Sequence, residues 1–219
     1  MVVREKFNEE LKELQNKLLE IGHFSIVALG KSLEALETGN VDLSLRIIED
    51  DTEADLMEKE INDFAIFLIT KQQPVAIDLR RIIVAIKIAT DIERIADFAS
   101  NIAKSTIRIG NEPLVKPIEH IRKMHEITSR MLNLSLEACF DEDIIKAKKV
   151  EEMDDEVDDL YKQSIKDLLE INQHSPEFMS QVSQLIFVCR YLERAADHVT
   201  NIGENVFFLV KGRRYDLNN

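Results

Sequence analysis

Along the last third of the chain, apolar residues recur at alternating steps of three and four: Val182, Leu185, Cys189, Leu192, Ala196, Val199, Gly203 and Val206. That spacing is one stripe of a helix. About one hundred positions earlier the same beat runs through Ile82, Ala85, Ala89, Ile92, Ala96, Ala99, Ala103 and Thr106. The small residues of the earlier stripe predict close helix–helix approach. A second row, Ile88, Ile95, Ile102 and Ile109, predicts that this helix is buried on more than one side.

Turn signals cut the chain at TGN (38–40), KQQP (71–74), IGNEPLVKP (109–117), FDED (140–143) and QHSP (173–176). Six amphipathic segments of about 25 to 35 residues remain, longer than ordinary globular helices, so each needs lateral packing along its length. Pro74 and Pro176 fall where a third helix of each half would begin, a position that tolerates proline. The two halves therefore align as an internal repeat. The expected fold is all-α: two tandem three-helix bundles, six long helices, related by a pseudo-two-fold. Their expected bounds are 1–110 and 114–219.

Composition agrees and narrows the partners. Six Gly, four Pro and no Trp leave little material for a many-stranded sheet. The net charge of -13 repels nucleic-acid phosphates and anionic lipid, which excludes nucleic acid as a partner and leaves membrane contact to partner proteins. The N-terminus is charged from Arg4 onward, and the apolar clusters FAIFLI (64–69) and VFFLV (206–210) are too short to span a bilayer, so a cytoplasmic location is expected. Cys139 and Cys189 stand alone in apolar helical contexts and are expected as reduced core residues.

Candidate chemistry lies beside the stripes. Glu193, Asp197 and Asn201 recur every four residues, and so do Glu93, Asp97 and Asn101. The preceding helix of each half carries a matching pair, Asp51 with Asp55 and Asp154 with Asp158. Counting from the turn near residue 73, Asp55 and Asp51 lie about 18 and 22 residues before it, and Glu93 and Asp97 about 20 and 24 after; at ~1.5 Å per residue their heights differ by only ~3 Å. The second turn gives the same result. Four carboxylates and an amide oxygen can thus converge in each bundle. Such hard oxygen donors suit Mg²⁺, Mn²⁺, Ca²⁺ or iron; Zn²⁺ is less favoured, because neither Cys is near and only His198 is adjacent. His198 points off the ladder, as a solvent-facing or interface residue does. DDEVDDL also offers Asp155 and Asp159 as a second register. The competing reading is a solvated acidic face that Arg94 or Arg194 partly neutralises, in a metal-free helical adaptor. A carboxylate-bridged di-metal enzyme would need a Glu-x-x-His on two helices, and Glu20 with His23 is the only one here. No Gly-rich phosphate loop, Ser nucleophile motif or HExxH is present, so no enzymatic activity is expected.

The words ERIADFASNIA and ERAADHVTNI, together with the paired Asp or Glu, three residues, Asp motifs, resemble the PhoU family of phosphate-specific transport system accessory proteins over essentially the full length. The resemblance implies a negative regulator of phosphate uptake and of phosphate-starvation signalling. It would act through the ATPase subunit of a Pst-type phosphate importer and through a phosphate-responsive sensor histidine kinase. It also implies multinuclear metal on the bundles, and a homodimer is expected.

Overall fold

The structure, a computed structural model, describes residues 2–213, with side chains from residue 4. Residue 1 and residues 214–219, the outer ends of the two expected bundles, lie outside the described residues. Six helices follow one another: α1 (Val2–Thr38), α2 (Val41–Gln72), α3 (Ala76–Ile109), α4 (Glu119–Asp141), α5 (Ile144–His174) and α6 (Met179–Lys211), with a short 3₁₀ turn, Pro176–Phe178, before α6. No strand occurs among the described residues. The expected lengths hold for four helices. α1 is longer, at 37 residues, and α4 shorter, at 23. Pro113 and Pro117 keep the segment after α3 out of helix, which delays α4 to Glu119.

Side-chain caps open two of the helices. Asn40 caps α2 by accepting from the Leu43 amide at 2.9 Å, and Asp143 caps α5 by accepting from the Ile145 and Lys146 amides. Gly39, at φ 63°, supplies the left-handed residue that the α1–α2 turn requires. The prolines sit slightly off their expected places. Pro74 lies two residues before α3, after Gln73 has ended α2 at φ 46°, and Pro176 opens the 3₁₀ turn rather than α6 itself.

α1, α2 and α3 form the first bundle and α4, α5 and α6 the second. All eight stripe residues of α3 and all eight of α6 are buried. The repeat extends to the outer helices, where Ile21, Leu29 and Leu36 of α1 are matched by Met124, Leu132 and Cys139 of α4, each buried. Both thiols are buried, and burial pushes each up to about 12.

The bundles join chiefly along α3 and α6, with α1 against α4. α3 and α6 run antiparallel: Arg80 near the start of α3 reaches Gly212 just past the end of α6, while Phe98 meets Tyr191 and His198 nearer the middle. Asp91 and Phe98 both touch α6 and share a helical row with Ile88, Ile95 and Ile102. α6 is therefore what covers the second isoleucine row. Two contacts related by the pseudo-two-fold differ in kind. Phe98 stacks on Tyr191 at 6.1 Å between centroids, whereas its counterpart His198 places Nδ1 3.0 Å from Asp91 Oδ1. Among the described residues no helix is long and apolar enough to cross a membrane.

The connection between the bundles is tied to α6. Buried Gln181 accepts from the Val115 amide at 2.6 Å and donates to the Pro113 carbonyl at 3.2 Å. Replacing Gln181 by Ala strands both backbone groups. The expected loss is about 1–3 kcal/mol in urea unfolding, with limited proteolysis near 113–117 as the local readout.

Candidate functional site

Mid-length on each hairpin, two acidic pairs face one another. In the first bundle Asp51 and Asp55 come from α2, and Glu93 and Asp97 from α3. Each field acts on the others. Burial pushes the Asp51 carboxyl up, and the charges of Asp97 and Asp55 push it further; nearby Ser100 and Lys104 oppose this. Glu93 is pushed from its ordinary 4.5 to about 7, first by burial, then by Asp97 and Asp55, against the pull of Arg94. Arg94 spans the rungs, with NH1 2.6 Å from Asp97 Oδ2 and Nε 3.5 Å from Glu93 Oε2.

The second bundle repeats the arrangement with Asp154 and Asp158 from α5 and Glu193 and Asp197 from α6. Asp154 is pushed from its ordinary 3.8 to about 7 by burial and by the charges of Asp197 and Asp158. Glu193 and Asp197 are both raised, again chiefly by burial. Oε2 of Glu193 is buried without a hydrogen-bond partner, while its other oxygen pairs with Arg190. The α5 register is visible in the exposures: the Asp159 side chain is 82% exposed and that of Asp158 46%, and Asp155 is exposed where Asp154 is not.

The amide rung of α6 turns away from its ladder. Each four-residue step advances 400° around the helix, so after two steps the third rung has drifted about 80° from the first. The drift carries Asn201 toward α3, where its Nδ2 donates to Asp91 Oδ1 at 3.4 Å instead of joining the α5 acids. Asn101, half-buried, makes no hydrogen bond to the four carboxylates of its bundle.

Some participants escape a reading of the ladders alone. Ser100 and Thr200 stand three residues beyond Asp97 and Asp197 and back Asp51 and Asp154 respectively. The cations also differ between halves. Arg94 pairs with the ladder, but its counterpart Arg194 stacks over Phe98 at 5.6 Å, and Arg190 takes the ion pair in its place. The first-bundle counterpart of Arg190 is Thr90, which donates to Glu58.

Chemically, each site is a set of hard, mutually repelling oxygen donors, half-shielded from water. No three Asp, Glu, His or Cys side chains among the described residues already close around one point as ligands to a metal ion. The donor set nevertheless fits a divalent cation. Arg94 and Arg190 offset the crowded negative charge only in part, since Glu93, Asp154 and Glu193 stay raised, and Glu193 keeps an unsatisfied buried oxygen.

Comparison with known proteins agrees with this duplicated architecture. The PhoU domain model matches twice, over residues 18–106 and 121–206. The chain is 38% identical over 218 residues to a phosphate-specific transport system accessory protein PhoU homolog of Clostridium acetobutylicum, covering 99% of this chain and 100% of that protein. It is 37% identical over 208 residues to the homolog of Zymomonas mobilis, covering 95% and 88%. Among solved structures, PhoU from Pseudomonas aeruginosa superposes with a TM-score of 0.88 at 31% identity, covering 94% of this chain and 100% of that one. The phosphate transport system regulatory protein PhoU from Streptococcus pneumoniae gives 0.89 at 26% identity, covering 96% and 99%. With the family model on both repeats and a relative matched from end to end, this chain belongs to the PhoU family.

Proposed function

We propose that this chain is a regulatory adaptor of a phosphate-specific transport system, one that restrains phosphate uptake and phosphate-starvation signalling without turning over a substrate. The observation that carries this reading is the end-to-end similarity to proteins named as accessories of that system. In this reading the protein works in the cytoplasm as a homodimer, built from bundles 1–110 and 114–219. It contacts the ATPase subunit of a Pst-type importer and a phosphate-responsive sensor histidine kinase, and reaches the membrane only through them.

Asp51, Asp55, Glu93 and Asp97 would hold divalent metal in the first bundle, and Asp154, Asp158, Glu193 and Asp197 in the second. Mg²⁺, Mn²⁺ or iron suit these oxygens better than Zn²⁺. The metal would supply positive charge that ties α2 to α3 and α5 to α6. The chain's own part is to hold the carboxylates half-buried and to offer Arg94 and Arg190 as competing cations.

Deleting the gene should leave phosphate-starvation genes active in phosphate-rich medium, measured by reporter expression and phosphate uptake. Normal repression and uptake in the deletion strain would sink the assignment. The quadruple replacement of Glu93, Asp97, Glu193 and Asp197 by Ala should reproduce part of the phenotype and bring metal content, measured on protein purified without chelator, down to background. A folded quadruple variant with full repression would remove metal from the function and leave the metal-free adaptor.

A further inference from the structure

We propose that a groove on the first bundle receives a basic amphipathic helix from a partner protein. This deepens the adaptor reading and rests on it for there being a partner. The groove has a volume of about 330 Å³ and lies among α1, α2 and α3. Phe24, Val27, Ile47 and Met57 give it an apolar floor, and Val27 is 38% exposed there. Glu20, Asp50 and Glu53, all exposed, and half-buried Asp51 give it an acidic rim, against His23 and Lys31 as the basic residues.

The second bundle lines the same region differently. Its counterparts of Ala28 and Asp50, judged by the matched burial of the repeats, are Met131 and Met153, 0% and 6% exposed. The second bundle carries two methionines where the first has a methyl group and an exposed carboxylate, and its own cavity beside Met153 is lined by Arg130, Lys149 and Glu137. What sets the first-bundle groove apart is its acidic rim, where the second-bundle cavity has Arg130 and Lys149.

Its shape and charge specify the occupant. From Glu20 to Lys31 the groove follows α1 for ~16 Å, about three helical turns. A helix laid along such a floor buries an apolar stripe and presents its flanks to the rim. Carboxylates on that rim, in a chain of net charge -13, select Lys and Arg on those flanks and repel acidic segments. Burying Val27 removes apolar surface that the isolated chain leaves in water.

The test is fluorescence anisotropy with a labelled synthetic Leu/Lys amphipathic helix of about 18 residues, long enough to exceed the groove. Saturable, salt-sensitive binding is expected. A scrambled peptide of the same composition and a Leu/Glu helix should not compete. The double variant Ala28→Met, Asp50→Met should weaken binding about tenfold or more by filling the floor. Because that variant alters packing, the rim reversal Glu20→Lys, Glu53→Lys, at exposed positions, is a second arm with the same expected direction. Glu156→Lys, on the second bundle, should leave binding unchanged. Absent binding, equal competition by the scrambled peptide, or unchanged affinity in both groove variants would overturn the proposal. So would sedimentation in which filling the groove converts a dimer to a monomer, since the occupant is then a second copy. None of these outcomes bears on the deletion phenotype, so the adaptor reading and the groove stand or fall separately.

Discussion

Replacing Glu93 by Gln and Asp154 by Asn is expected to make the metal-free protein more stable than the unmodified chain at pH 8, a gain that disappears by about pH 4. The direction follows from protons. Both carboxyls titrate near 7 in the folded protein, above their ordinary 4.5 and 3.8, so between those values the native state binds protons that the unfolded chain has released. Stability therefore falls as pH rises from about 4 to about 7, and the full cost persists above that window. Both carboxyls are partly solvated, which screens the cost to about 1–2 kcal/mol each. Urea midpoints across this range, in chelator-treated protein, measure it directly. Added Mn²⁺ should reverse the order: a cation bound only by the unmodified folded chain stabilises it by about 2.7 kcal/mol at one hundred times its Kd. A variant less stable than the unmodified chain at pH 8 without metal would mean that the carboxylates do not crowd one another.

Ile92→Ala should cost about 2–5 kcal/mol, lowering the melting temperature by roughly 4–20 °C for a chain of this size. Ile92 is 0% exposed, and its carbonyl accepts from Ser25 Oγ of α1 at 3.2 Å, so the side chain sits where α1 crosses α3. The packing on either side is fixed by this crossing, which limits how far the cavity can collapse. Ile66→Ala, at a position 55% exposed on α2, should stay within about 0.5 kcal/mol and serves as the control. Equal effects at the two positions would contradict the packing described for α3.

Much of this fold was legible in the chain because helix periodicity is local. The stripe from Val182 to Val206 and its twin from Ile82 to Thr106 are buried throughout. The meeting of the acidic pairs was legible too, since helices joined by a short turn share a height scale. What covers the Ile88, Ile95 and Ile102 row was not. Its partner, α6, lies about one hundred residues away, and no short turn sets their register. The choice of Arg190 over Arg194 depended on an aromatic ring contributed by α3, a non-local fact of the same kind. The departure of Asn201 was available from helix pitch, because two four-residue steps do not return to the starting face.

The covering of α3 by α6 also sets a timetable for synthesis. α3 is complete at Ile109, and α6 ends at Lys211. At about 5–20 residues per second the ribosome needs roughly 5–20 s to make that difference. Throughout the interval the nascent first bundle shows Ile88, Ile95, Phe98 and Ile102 without their native cover. The duplication that lets one chain bury this surface thus leaves that surface uncovered until the second half has emerged.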